Sequence, residues 1–216
     1  MRFPNAAKGI SKIFTAEVLR LITTVTAGLS LIFSIFLAAA VTDGAIVSTG
    51  IYGVLLAVFG VATVVLAVIS LVLMIIGTIQ ASRDEASFKV IIYLTIFNIV
   101  VSVIAAIFSQ NTFLANIASG VSELVSFVCS LLVVLGVGSM AAELGDTPLM
   151  AKCGTYFKVV LGIGILGLLT RFFAIFTMSV FARAFVFTFA TISVILSIVR
   201  YVLYLSLLSN AKKMLN

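Results

Sequence analysis

The sequence predicts an all-α protein, a polytopic membrane bundle of about six transmembrane helices forming three hairpins, with both termini in the cytoplasm. Composition, the lengths of the apolar runs and the placement of the cations support this fold class. Of 216 residues, 63% are hydrophobic and 9% are charged, and the mean hydropathy is +1.37. A soluble domain carries about 25% charged residues because its surface faces water. The exterior is therefore expected to face lipid.

Six stretches are long and apolar enough to cross a bilayer, which takes about 20 residues. Residues 1–216 are therefore expected to form a single transmembrane domain. The predicted spans cover residues 21–41, 51–79, 90–108, 121–142, 159–180 and 185–208.

Lysine and arginine stand at alternate connections between these spans, a distribution that keeps basic loops in the cytoplasm. The connections on the opposite side contain a single cation, Arg183. Because the cations are dispersed rather than clustered on one face, the basic pI of about 9.6 does not indicate nucleic-acid binding. The cations on the predicted inner side are Arg2, Lys8, Lys12, Arg20, Arg83, Lys89, Lys152, Lys158, Lys212 and Lys213.

The N-terminal region has two further interpretations. The stretch that ends in Ala38, Ala39 and Ala40 imitates a cleavable signal peptide, but its apolar run is long for one, which favours an uncleaved first span. Residues 5–19 predict either a short amphipathic helix on the inner leaflet or a charged lead into that span.

The inner loops contain residues typical of helix boundaries. Ser82 and Glu85 have the spacing of a capping box, in which the two side chains satisfy free amides of a first turn. Gly145 is expected to end the fourth helix in a left-handed conformation. Pro148 is expected to begin the next helix, where no amide is needed.

Three segments, around Arg20, Lys89 and Lys158, share the order hydrophobe, cation, two aliphatics at a constant offset of 69 residues. They suggest hairpin repeats near residues 12–80, 81–147 and 148–216. The alternative is that any inner helix start tends to place a cation before aliphatics. Small residues predict close helix–helix faces in the second and fifth spans. They are Gly53, Ala57 and Gly60, then Gly162, Gly164 and Gly167.

Polar groups inside the spans are the candidate site residues, because charge in the bilayer centre costs several kcal/mol. Arg200 is expected about 15 Å from the inner end of the sixth span, near the midplane. With Asn98, Tyr201 and Tyr204 it is a candidate substrate-binding group, with no carboxylate expected at its depth. The alternative is an arginine that bonds main-chain carbonyls or extends to the headgroups.

Arg171 and Glu123 form a second candidate group near the outer side, interpreted first as an interhelical ion pair. The chain has no histidine and two isolated cysteines, so no metal site or other cofactor is predicted. Recognised catalytic motifs are also missing, so an enzyme is not expected.

Two functions remain as hypotheses. The first is a small-solute binding or transport subunit with a polar site near the membrane midplane. The alternative is a non-transporting scaffold or regulatory partner that acts through helix–helix contacts. The expected partners are the lipid bilayer and either another membrane subunit or further copies of this chain, with no nucleic acid.

Overall fold

A computed structural model describes the backbone of residues 3–42, 46–107, 112–175 and 180–215. Within these ranges the structure is all-α, which confirms the all-α part of the predicted fold class. The described helices are α1 Pro4–Thr42, α2 Ile46–Ala81, α3 Ser87–Ile107, α4 Thr112–Leu144, α5 Thr147–Ile175 and α6 Val180–Leu215.

The helices pack mainly as sequential hairpins. The most extensive contacts join α1 to α2, α3 to α4 and α5 to α6, and α6 also packs beside α1 and touches α4. Among the described residues, four helical stretches are long and apolar enough to cross a membrane, as expected for a multi-pass membrane protein. The fifth and sixth predicted spans run along α5 and α6, and much of both lies outside the residues whose side chains are described. The four stretches are Pro4–Ala39, Gly50–Ala81, Ser87–Ile107 and Gly120–Leu144.

The buried core gathers at one end of the bundle, the end that carries both termini. Ile10 and Ile13 of α1, Phe88 of α3, Val137 of α4 and Leu208 of α6 are all fully buried there. Away from this end the outward faces are lined with exposed aliphatic residues, a pattern that suits contact with lipid. Examples on α2 are Val54, Val58, Val61, Val64, Val65 and Val68.

The first helix runs without interruption from Pro4 to Thr42. At about 1.5 Å rise per residue it is about 58 Å long, well beyond the roughly 30 Å of a hydrocarbon core. The prediction of a separate helix over residues 5–19, lying flat on the leaflet, is wrong. That stretch leads directly into the first span because its apolar residues, including Ile10 and Ile13, are buried against the other helices.

Glycine allows α1 and α2 to approach most closely near the termini. A Cβ at Gly9 would lie 2.5 Å from the carbonyl oxygen of Gly77, and one at Gly77 would lie 2.8 Å from the carbonyl oxygen of Gly9. Only residues without a side chain permit this backbone contact. The predicted small-residue faces are different positions: Gly53, Gly60 and Gly162 have no such neighbours within 4 Å among the described residues.

The pairing of α1 with α2 is antiparallel and has a well-defined register. Ser70 Oγ donates to the carbonyl oxygen of Ala16 at 2.9 Å, and Thr63 Oγ1 donates to Thr26 Oγ1 at 2.9 Å. Farther along, the rings of Phe33 and Phe59 stack at 5.5 Å, as do those of Phe36 and Tyr52 at 5.6 Å.

This register places Arg20 between the levels of Thr63 and Ser70, close to the middle of the apolar run of α2 at residues 51–79. The sequence analysis places Arg20 at the inner edge of the first span. In the structure the part of α1 that pairs with α2 begins well before residue 21, and the depth of Arg20 in a membrane stays a prediction.

A carboxylate from another part of the chain caps the start of α1. The Asp84 carboxylate accepts hydrogen bonds from the main-chain amides of Asn5 and Ala6, both at 2.8 Å, and from Asn5 Nδ2 at 2.9 Å. These amides are free donors of a helix first turn, and the negative charge also suits the positive end of the helix dipole. Asp84 thereby ties the loop of residues 82–86 to the N-terminus.

The two inner loops differ in how well the sequence predicts them. The capping box of Ser82 and Glu85 is wrong: Ser82 Oγ donates back to the Ile79 carbonyl, and the Glu85 carboxylate accepts from the Ser87 hydroxyl. In this loop α3 begins only at Ser87, so Ser82 directly follows the end of α2 and does not lie at a helix start.

Gly145 ends α4 as predicted, with a φ of 73°. The amide of Asp146 donates to the Ala141 carbonyl and that of Gly145 to the Ala142 carbonyl, the two bonds of a Schellman motif. Helix α5 then begins at Thr147, and the Asp146 carboxylate accepts from the Leu149 amide at 3.0 Å.

The hairpin repeat gains no support from these positions. Arg20 lies well inside α1, Lys89 in the first turn of α3 and Lys158 in the interior of α5. The three cations therefore do not occupy equivalent places in their helices, and the repeat stays a prediction from sequence.

Candidate functional site

A partly open cavity of about 490 Å³ lies between the helices, with lining residues from α1, α2, α3, α4 and α6. Its wall combines apolar groups with an unusual number of polar ones for the interior of a membrane bundle. The lining residues with polar or ionisable side chains include Glu17, Arg20, Thr23, Thr24, Ser70, Thr95, Asn98, Cys129, Ser130 and Tyr204.

Two opposite charges lie side by side in the α1 wall of the cavity. Arg20 Nη1 is 3.9 Å from Glu17 Oε1, one helical turn away. The Glu17 side chain is 7% exposed whereas that of Arg20 is 61% exposed, so the carboxylate is held in the protein and the guanidinium extends into open space. At the depth set by the α1–α2 register, this open space is at the level of the apolar middle of α2.

Two tyrosines of α6 fix the surroundings of Glu17. The Tyr201 hydroxyl donates to the main-chain carbonyl of Glu17, which ties α6 to α1. Tyr204 is buried, and its ring lies 5.7 Å from that of Tyr156 on α5. The carboxylate is thus held in a packed environment.

The hydroxyl groups of the wall present oxygen lone pairs to the cavity. Five of them already donate their single hydrogen to a main-chain carbonyl, so each keeps only acceptor capacity. These bonds run from Thr23 to Leu19, Thr24 to Arg20, Ser70 to Ala16, Thr95 to Ile91 and Ser130 to Phe127.

Asn98 adds an acceptor that has no partner. Its Oδ1 is buried and makes no hydrogen bond within the part of the chain that the structure describes. A buried polar atom without a partner costs about 1–3 kcal/mol, so a donor that reached this oxygen would be stabilising.

The residues predicted from sequence fall into three groups. Asn98 and Tyr204 line the cavity, and Tyr201 lies directly behind it against Glu17. Arg200 is not among the lining residues, but it is close enough to act electrostatically on Glu17 and on Tyr156. The expectation that no carboxylate lies at its depth is therefore wrong.

The predicted ion pair of Arg171 with Glu123 lies outside the residues whose side chains the structure describes. It stays a prediction.

Sequence reasoning missed the two charged residues of the site. Glu17 received no role, and Arg20 was counted among the cations that flank the first span. The available signal was their spacing: an acid and a base three residues apart, with apolar neighbours on both sides, place both charges on one helical face.

Comparison of the chain with protein-family models, with curated proteins and with solved structures gave no significant match. The function is therefore inferred from the geometry and chemistry of this cavity.

Proposed function

We propose that the cavity binds a small polar solute and that the protein is a solute-binding or transport subunit in a membrane. The observation that carries this proposal is a buried carboxylate, an extended guanidinium and an unpartnered amide oxygen around one open space. Polar groups inside a membrane bundle are costly and are characteristic of pathways for solutes and ions. A volume of about 490 Å³ is within the 300–1,000 Å³ typical of small-molecule pockets.

The placement of the charges supports a wet cavity. An arginine that is 61% exposed at the level of the middle of α2 would be very unfavourable against hydrocarbon. Water or a polar solute in the cavity removes this cost. The proposal is one of binding and movement without chemical conversion, because the sequence contains no recognised catalytic motif.

The proposed orientation places the end with both termini in the cytoplasm. Asp84 binds the first turn of α1, and Lys212 of α6 lies 6.0 Å from the ring of Phe14 on α1, so the inner loop of residues 82–86 and both termini share one end. The loops predicted to be cytoplasmic carry nearly all the cations, as positive-inside topology requires.

Thermal stabilisation of the purified protein in detergent tests solute binding. A library of amino acids, sugars, amines, carboxylates and nucleobases is screened for compounds that raise the melting temperature, since any ligand specific for the native state does so. We expect at least one class to stabilise the native protein, to fail with Asn98→Leu, and to keep its effect with Ser102→Ala. Ser102 is an exposed residue on the same helix. Failure of every class would contradict the proposal.

A scaffold or regulatory role is the second candidate. It is favoured by the open space around Gly53 and Gly60 of α2, where a helix of another chain could approach closely. It predicts that no solute shifts the melting temperature and that a defined membrane partner co-purifies with the protein.

A further inference from the structure

The wall of the cavity presents both hydrogen-bond acceptors and hydrogen-bond donors. The five hydroxyl groups that donate to main-chain carbonyls, the Glu17 carboxylate and the Asn98 Oδ1 all accept. The guanidinium of Arg20 is a donor group directly beside the Glu17 carboxylate. A solute that fits both charges must therefore bring donors to Glu17 and acceptors to Arg20.

A protonated amine matches the acceptor side. An ammonium has three donors and no acceptor, so it can bond the Glu17 carboxylate and still offer donors to other oxygen atoms of the wall. Bonds between charged groups are about twice as strong as neutral ones. Asn98 Oδ1, which has no partner within the described residues, is a further acceptor of this wall.

The charge balance of the cavity argues against a simple cation. Glu17 contributes one negative charge, whereas Arg20 in the wall and Arg200, which acts on Glu17 electrostatically, contribute two positive charges. A further cation would raise this excess, but a carboxylate on the same solute neutralises it. The guanidinium of Arg20 presents a planar fork of donors that suits a carboxylate, and its 3.9 Å distance from Glu17 is too long for a hydrogen bond.

We infer that the solute is a small zwitterion of the amino-acid class, with its ammonium against Glu17 and Asn98 and its carboxylate against Arg20. This inference rests on the proposed function, because it names the class of solute that the same cavity binds. Its distinguishing requirement is N–H donors on the positive end.

The test is a melting series on the full-length protein in detergent with defined compounds. The panel contains the twenty L-amino acids, glycine betaine as a zwitterion without N–H donors, ethanolamine as an amine alone, propionate as a carboxylate alone, and glycerol. At a hundredfold excess over its Kd, an amino acid that binds is expected to raise the melting temperature by about 5 °C or more. Glycine betaine, ethanolamine, propionate and glycerol are expected to leave it unchanged.

Two arginine variants link the effect to the cavity. Arg20→Gln is expected to weaken the stabilising amino acid at least about tenfold in apparent Kd, because it removes a charged hydrogen-bond partner. Arg83→Gln, in the exposed loop of residues 82–86, is expected to leave the Kd unchanged. Both variants must melt as single transitions without ligand for the comparison to count.

The outcomes separate the two claims. Stabilisation by ethanolamine, propionate, glycerol or glycine betaine, with no amino acid active, overturns the assignment to the amino-acid class and keeps solute binding. An active amino acid whose Kd is the same in Arg20→Gln overturns the assigned pose. If no compound of the panel raises the melting temperature, the zwitterion is overturned. If no compound of the wider library raises it either, solute binding is overturned.

Discussion

Replacement of Gly9 by alanine is expected to separate α1 from α2 and to destabilise the protein. The new methyl carbon would lie 2.5 Å from the Gly77 carbonyl oxygen and 2.7 Å from the Ala81 amide nitrogen. Ordinary contacts begin at about 3.5 Å, so the helices must move apart by about 1 Å. Both obstacles are main-chain atoms, and no change of rotamer relieves them.

The size of the effect follows from two opposing terms. Overpacking of this kind costs about 3 kcal/mol, and alanine recovers about 1 kcal/mol through its better helix propensity. The net loss of about 2 kcal/mol corresponds to a melting temperature about 4–8 °C lower for a chain of this size. Melting can be followed with a thiol-reactive dye, because Cys129 and Cys153 are buried in the folded protein.

Gly28→Ala on the same helix is the control. A Cβ at Gly28 has open space within 4 Å among the described residues. That substitution is therefore expected to be neutral or to stabilise by up to about 1 kcal/mol. If Gly9→Ala melts no lower than Gly28→Ala, the close crossing is absent and the register that places Arg20 beside the middle of α2 is refuted.

Three further changes test other contacts. Asp84→Ala removes the cap of α1 and should lower the free energy of unfolding by about 1 kcal/mol. Burial alone would raise the pKa of the Asp84 carboxyl, but the hydrogen bonds from Asn5 and Ala6 lower that pKa below its ordinary value of 3.8. The native protein should therefore be more stable than Asp84→Ala by the full amount above about pH 5, and this difference in stability should disappear as the pH falls below about 4. A difference that is unchanged at low pH would contradict the cap. Phe88→Ala removes a fully buried ring that packs on a glycine of α4 and should lower the free energy of unfolding by about 3–5 kcal/mol. Phe97→Ala, at a half-exposed ring, should lower it far less. Equal losses of stability in the two variants would refute the assigned packing. Gly145→Ala forces a side chain into a φ of 73° and should lower stability by about 1–2 kcal/mol in chemical unfolding; an unchanged midpoint would show that the Schellman turn is not formed.

The sequence predicts well what depends on composition and local chemistry. The helical class, the lipid-facing exterior and the end of α4 at Gly145 follow from hydropathy and from the preference of glycine for left-handed conformations. Asn98 was also identified, because an amide within an apolar run is conspicuous.

What the sequence cannot supply are contacts between distant segments. Asp84 caps α1 from 79 residues away, so the local capping-box pattern at Ser82 predicts the wrong partners. The depth of Arg20 depends on the contact of Gly9 with Gly77, which a hydropathy profile does not contain. Glu17 becomes a site residue only because that register brings it beside the cavity.

The central claim, a water-accessible polar cavity level with the apolar middle of α2, is tested most directly by cysteine accessibility. Thr24→Cys in the cavity wall and Val64→Cys on the exposed face of α2 lie at similar depth. Each is introduced after Cys129→Ala and Cys153→Ala and is treated in proteoliposomes with a charged, membrane-impermeant methanethiosulfonate. We predict modification of Thr24→Cys and protection of Val64→Cys by lipid. Protection of both would show that the cavity is dry, and modification of Val64→Cys would show that α2 does not lie in the membrane.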